Sequence, residues 1–282
     1  MNYGGLDEEY TGYDHSQIAI LPVSYDGTST WIKGADKGPE AILTASAHME
    51  LYDIETDTQV FEKGIYTGAP ILHDGTPDDL AVLVENEVSK LLNDRKFPVL
   101  LGGEHSVSIG SFRAFARHYR ELSILQLDAH SDLRPVYQGS SCNHACVMAR
   151  AREVASITQV GIRSMCEEEK VNLDPRRVFF AHQIRRRSGW MKKVSRQLKE
   201  YVYITIDLDV LDPSVMPSTG TPEPGGLLYE EVIELLKYVN RRHRIVGFDV
   251  VELCPNKLNK SPDFLASKLI YQLLSLIFNK RK

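Results

Sequence analysis

Short, almost uninterrupted apolar runs alternate with longer amphipathic stretches along most of this chain. The runs at 18–23, 99–101, 125–127, 157–162, 177–180, 203–206 and 245–251 carry apolar side chains on both faces, as strands buried on both sides do. Between them the apolar positions recur at helical spacing. Pro39 fits the first turn of a helix over 39–52, and Thr76-Pro77 is a start signal for one over 78–92. Further helices are expected over 108–119, 144–152, 190–201, 229–239 with Asn240 ending it, and 263–278. Strands each separated by a helix predict a mostly parallel sheet covered on both faces, a single-domain three-layer α/β/α fold. Residues 1–16, rich in Gly, Tyr and acids, read as an irregular arm ahead of one domain over 17–282.

Three of the apolar runs turn abruptly polar at their ends. One continues as Asp128-Ala129-His130-Ser131-Asp132, a second as Asp207-Leu208-Asp209, and a third as Gly102-Gly103-Glu104-His105. On an extended backbone, side chains two apart share a face, so each cluster converges at the end of its strand. In parallel sheets ligands bind beyond those ends. A lone Asp-x-Asp after a strand is more often a cap or turn. Four Asp and two His brought together are different, because burying several carboxylates without a cation is very costly. Carboxylate-rich donors with two imidazoles and no thiolate suit Mn²⁺ better than Zn²⁺, and six ligands suit two ions per chain. Four carboxylates balance two divalent charges, and a water held between two such ions has its pKa lowered toward neutrality. The glycine pairs are not phosphate cradles: Gly102-Gly103 lacks the Lys and spacing of a P-loop, and Gly225-Gly226 follows a proline-rich loop. Close backbone approach near the site is their expected role.

Gly102-Gly103-Glu104-His105-Ser106, Asp128-Ala129-His130-Ser131-Asp132 and the block from Asp207-Leu208-Asp209 through Asp212-Pro213, Pro217, Thr219-Gly220-Thr221-Pro222 to Gly225-Gly226 resemble the signature blocks of the arginase/agmatinase (ureohydrolase) family. The resemblance runs from about Pro22 to the C-terminus. It implies an arginase-like fold and a hydrolase of a small guanidinium substrate. It also implies that His105 and Asp132 bind one ion, His130 and Asp209 the other, and that Asp128 and Asp207 are shared. Glu252 matches the family's Asp-x-x-Glu-x-x-Pro block, where a carboxylate accepts paired hydrogen bonds from a planar guanidinium. His144 matches the candidate proton shuttle, and Thr221 lines the site. Catalysis is thereby assigned to His144, Glu252 and Asp132, and substrate contact to Glu252, Thr221 and His144.

Arginases carry an Asn two residues after Asp132, where this chain has Arg134, and the segment through Tyr137, Gly139 and His144-Ala145-Cys146 looks more like agmatinases. Hydrolysis of agmatine to putrescine and urea, a polyamine-forming step, is therefore expected. Guanidinobutyrase, arginase and formimidoylglutamase are the sister alternatives, since Arg134 also suits guanidino or formimino acids. A non-catalytic metal-binding protein is the alternative from another class. The distantly related zinc deacetylases fit less well, because their sites use one ion and fewer aspartates.

Composition narrows partners and compartment. The 282 residues are 43% hydrophobic and 25% charged, with a net charge of −5, an ordinary globular balance without the basic face that nucleic acid requires. Basic clusters at Arg185-Arg186-Arg187 and Arg241-Arg242-His243-Arg244 read as solvated surface or subunit contacts. The four cysteines contain no Cys-x-x-Cys pair and suggest reduced thiols. Cys142, His144 and Cys146 match no common structural zinc motif. The polar, acidic start lacks a secretory signal, and the apolar run 269–278 is half of a membrane span. A soluble cytoplasmic protein without membrane contact is expected, and by resemblance a homo-oligomer, trimer or hexamer.

Overall fold

The computed structural model describes residues 1–186 and 188–279. Arg187, part of the first basic cluster, and the last three residues of the expected domain lie outside the described residues. In chain order the elements are β1 (Ile18–Ser24), α1 (Gly38–Ser46), β2 (Ile65–Thr67), β3 (Ile71–Leu72), α2 (Pro77–Asn93), β4 (Phe97–Gly102), α3 (Ser108–His118), β5 (Leu122–Leu127), α4 (Val147–Val154), β6 (Ser156–Ile162), β7 (Val178–Phe180), α5 (Ala181–Ile184), α6 (Trp190–Ser195), β8 (Tyr201–Asp207), α7 (Tyr229–Asn240), β9 (Arg244–Val251) and α8 (Ser261–Phe278). The strands form one sheet in the order β2-β1-β4-β9-β8-β5-β6-β7, with β3 also on β1, and every pairing is parallel.

Strand periodicity sorts the core into two layers. Ile18, Ile20, Val99, Leu101, Val202, Ile204 and Ile206 pack with α1, α7 and α8, whereas the intervening Ala19, Leu21, Leu100 and Tyr203 pack with α2, α3 and α4. This is the expected three-layer architecture. Because all strands run the same way, their carboxyl ends share one edge. The segments after β4, β9, β8 and β5, neighbours in the sheet, deliver His105, Glu252, Asp207 with Asp209, and Asp128 with His130 and Asp132 to that edge.

Two helices are shorter than their periodicity predicts. α1 ends at Ser46 rather than residue 52, because the Ser46 hydroxyl donates to the Leu43 carbonyl (2.7 Å) and accepts from Gly4 N–H (2.9 Å), tying the helix end to the first residues of the chain. α6 ends at Ser195 rather than at 201; there the Ser195 hydroxyl is bonded to His243 (2.8 Å), and Leu198 is still buried beyond the helix. His144 itself stands on a 3-10 turn, and α4 begins only at Val147. β2 and β3 had no counterpart among the expected elements. In the arm, Tyr3 is fully buried, and its hydroxyl donates to the Ser267 carbonyl of α8 (2.7 Å). Among the basic clusters, Arg185 donates to the Gly226 carbonyl and Arg242 lies over the Tyr238 ring, so neither guanidinium is merely solvated. Among the described residues no helix is long and apolar enough to cross a membrane.

Candidate metal centre and active site

The aspartates converge through turns rather than along an extended strand. Asp128 follows the last residue of β5, and its Oδ1 accepts the His130 N–H (2.5 Å); Asp207 Oδ1 likewise accepts the Asp209 N–H (2.8 Å). Each is an Asx turn, in which a carboxylate caps the backbone two residues on. Asp209 consequently sits on a 3-10 turn, and Asp132 takes a left-handed backbone with φ of 52°. The i, i+2 spacing brings the side chains together as expected, but by a different geometry.

Two groups of donors result, and they share Asp128. In the first, His105 Nδ1 lies 3.2 Å from Asp128 Oδ2 and 3.3 Å from Asp132 Oδ2; Asp207 Oδ2, outside that group, stands 3.4 Å from the same nitrogen. In the second, His130 Nδ1 lies 2.8 Å from Asp209 Oδ2 and 3.8 Å from Asp128 Oδ1. Neither group contains a cysteine. Burial, then repulsion from Asp209 and Asp132, pushes the Asp128 carboxyl up to about 7. Burial with the charges of Asp209 and Asp128 carries Asp207 well above the ordinary carboxylate range. Burial opposes a charge on the imidazoles, yet Asp128, Asp132 and Asp207 hold His105 well above its usual value, and Asp209 foremost pushes His130 up to about 11. Without a cation, this cluster gathers protons to dilute its negative charge.

One buried atom shows what the cluster is shaped for. Among the described residues His105 Nδ1 has no hydrogen-bond partner of good geometry, although three carboxylate oxygens surround it. On the other side of the ring, Nε2 is 2.9 Å from the Thr205 hydroxyl, which donates to Asp249 Oδ1 (2.6 Å); Tyr203 donates to Asp249 Oδ2 (2.8 Å). Since the Thr205 hydrogen is committed to Asp249, one ring proton belongs on Nε2, and the proton that the surrounding carboxylates hold on Nδ1 is the one a cation would displace to meet the lone pair. A lone pair among carboxylates calls for a cation, and the residues present fit a metal.

The cleft above these groups is lined by His105, His130, Asp132, Asp207, Asp209, Glu252, His144 and Thr221, with Asp128 fully buried beneath. Glu252, in left-handed conformation (φ 67°), accepts the His105 N–H on Oε1 (2.8 Å) and donates its own N–H to the Gly103 carbonyl (2.8 Å). Burial first, and then the nearby Glu104, raise its carboxyl well above the usual range. Burial lowers the His144 imidazole, which favours the neutral ring. Thr221 is exposed at the mouth, and the Arg134 guanidinium lies over the Tyr137 ring (4.5 Å to its centre). The glycines act by close approach: a Cβ on Gly103 would stand 2.0 Å from the Tyr25 carbonyl oxygen, and one on Gly226 would stand 2.5 Å from Asp212 N.

Sequence reasoning passed over Thr205, Asp249, Thr28 and Arg163 as site residues. Two of them left signals. Thr205 shares the strand parity of Asp207, and Asp249 is a carboxylate inside a buried run, directly opposite Thr205 across the β8–β9 pair.

The family model of the arginase family matches residues 16–275. The chain belongs to the arginase family. It is 38% identical to the N(1)-aminopropylagmatine ureohydrolase of Thermus thermophilus over 95% of this chain and 93% of that one. It is 34% identical to the agmatinase of Pyrococcus horikoshii over 97% of each. Among solved structures, the agmatine ureohydrolase of Thermoplasma volcanium superposes with a TM-score of 0.87 at 31% identity, covering 95% of this chain and 92% of that one. Membership in the arginase family makes the chain a hydrolase acting on guanidino compounds.

Proposed function

We propose that this arginase-family chain is a dinuclear manganese enzyme that hydrolyses agmatine to putrescine and urea. The observation that carries the reading is the pair of donor groups sharing Asp128, with the orphaned His105 Nδ1 in one of them. The oxygen-rich donor set without thiolate supports manganese. His105 and Asp132 would hold one ion and His130 and Asp209 the other, with the carboxylates of Asp128 and Asp207 available to both. When bound, two such ions would supply an activated water at neutral pH and electrostatic stabilisation of developing charge.

The rest is the work of side chains. Glu252 has Oε1 engaged by His105 N–H, leaving Oε2 and a further lone pair for the two parallel N–H groups of a guanidinium. A buried carboxylate with a raised pKa is relieved by an arriving cation, so the pairing orients the substrate carbon over the acidic cluster. The neutral His144 imidazole is suited to carry a proton to the leaving amine. Asp132 lines the cleft beside His105, its Oδ2 3.3 Å from the ring Nδ1.

A second reading of the substrate tail, agmatine extended by an aminopropyl group, is favoured by the Thermus relative. Urea release from agmatine, N(1)-aminopropylagmatine, 4-guanidinobutyrate and arginine, and formamide release from formiminoglutamate, by Mn²⁺-loaded protein decide between them. Agmatine is expected to exceed the acids by about a hundredfold or more in kcat/KM. A higher value on the aminopropyl compound would replace the tail, and no turnover on any substrate by fully metallated protein would remove the catalytic reading. Glu252→Gln is expected to keep both ions and lose turnover.

A further inference from the structure

The loop after β1 reaches over the end of β4 and is held there from several sides. Asp26 Oδ2 accepts the N–H groups of Gly34 (2.6 Å) and Ala35 (3.2 Å) and so closes the loop on itself. The Tyr25 carbonyl accepts the Glu104 N–H (2.9 Å), and Gly103 donates to Val23 (2.8 Å). Thr28 is carried by this loop to His144, 116 residues away in the chain.

The Thr28 hydroxyl meets His144 twice. It accepts the backbone N–H (3.0 Å) and lies 2.9 Å from ring Nδ1. Within the influence of the same hydroxyl stands the carboxyl of Glu104, which is fully buried and takes the Ser106 hydroxyl (2.6 Å) and N–H (2.9 Å). A hydroxyl has one hydrogen to give and two lone pairs. One lone pair is taken by the backbone of His144. If Nδ1 is bare, the Thr28 hydrogen points to it; if Nδ1 carries the proton, Thr28 accepts from it and turns its own hydrogen to Glu104. Either ring state is satisfied without moving the ring. In both, Nδ1 is occupied and Nε2 is the nitrogen left for the cleft that His144 lines.

We propose that Thr28 is the positioning residue of His144, fixing which ring nitrogen faces the substrate and satisfying the imidazole in both of its neutral forms and when protonated. The proposal rests on the reading of His144 as the group that hands a proton to the leaving amine. Acid–base groups contribute about 10²–10⁴ in rate, and a ring free to turn forfeits part of that.

Thr28→Val keeps the shape of the side chain and removes the hydroxyl, whereas Thr28→Ser keeps the hydroxyl. In the manganese-loaded enzyme acting on agmatine, Thr28→Val is expected to lower kcat by about ten- to a hundredfold with KM nearly unchanged, and Thr28→Ser to stay within about threefold of wild type. A second measurement is independent of turnover. Nitrogen NMR of ring-labelled protein loaded with a diamagnetic divalent ion, with the His144 signals assigned by their loss in His144→Asn, is expected to show a hydrogen-bonded Nδ1 in wild type and Thr28→Ser but not in Thr28→Val. An unchanged Nδ1 signal in Thr28→Val would overturn the proposal, as would equal kcat in Thr28→Val and Thr28→Ser. Wild-type turnover by His144→Asn would instead sink the reading of His144, and the positioning role with it.

Discussion

The two halves of the centre are supported in opposite ways. Around His105 the support lies in strands: the ring is 1% exposed, Asp128 is fully buried, and Thr205, Asp249 and Tyr203 form a polar chain inside the β8–β9 pair. Around His130 the support lies in loops. That side chain is 26% exposed, and its Nε2 faces Glu223 at 3.9 Å, beyond hydrogen-bond reach. Asp209, its partner, is held by Ala129 N–H on Oδ1 (2.9 Å) and through its backbone carbonyl by Arg163 (2.5 Å). The same guanidinium donates to the carbonyls of Glu223 (2.8 Å) and Gly161 (3.2 Å), so one side chain pins the turn after β8 and the far end of its loop to the end of β6. A planar fork presents five donors spread over three nitrogens, whereas the three donors of an ammonium radiate from a single atom and cannot span the same set of carbonyls in one geometry. The inner half is thus oriented by a side-chain relay and the outer half by a clamp on backbone. The two ions of the proposed pair should then be separable by substitutions that touch no ligand.

The substitution that breaks the comparison is the one at the residue both halves share. Asp128→Asn is expected to bring turnover to background, a loss exceeding the roughly ten- to hundredfold typical of a residue that only orients a ligand, and to leave fewer than two ions per chain by metal analysis. Two ions and full activity in that variant would remove the shared carboxylate. Smaller and more selective effects come from the supports. Thr205→Val unties the His105 ring and is expected to weaken one of two binding events in a Mn²⁺ titration by about ten- to a hundredfold, leaving the other. Arg163→Lys is expected to weaken the opposite event, by about tenfold. Equal weakening of both events by either variant would show that the halves are not independently held.

Much of this was legible because buried parallel strands write continuous apolar runs, and an Asp-x-His-x-Asp at the end of one stands out against them. The supports were harder to read. A threonine inside a strand is an ordinary β-former, so Thr205 has no individual signature until its cross-strand partner is known to be Asp249. The carbonyls that Arg163 grips belong to the backbone, which carries no residue identity. Thr28 and His144 meet only through the sheet order, and His144 itself stood out only through the family resemblance. The early ends of α1 and α6 rest on serines whose partners, Gly4 and His243, lie far along the chain.

The metal-free protein sharpens the contrast through its charges. In the outer half Asp209 is pulled down to about 2, burial notwithstanding, by His130, and His130 is pushed up to about 11, so this half forms an internal ion pair. In the inner half His105 is likewise held up by its three carboxylates, and Asp128, pushed up to about 7, takes up a further proton. Against an ordinary value of 3.8, the raised Asp128 stabilises the fold fully at low pH and loses that contribution as pH climbs through about 7. His130, ordinarily 6.5, adds a loss of the same sign from about 6.5 upward, while the opposite effect of Asp209 is confined below 3.8. The melting temperature of the metal-free protein should therefore fall by a few degrees between about pH 5 and pH 8. Binding of a divalent ion releases those protons and strengthens over the same range, so the gap in melting temperature between Mn²⁺-loaded and metal-free protein should widen with pH. A gap that stays constant from acid to neutral would mean that protons and metal do not compete for the inner carboxylates.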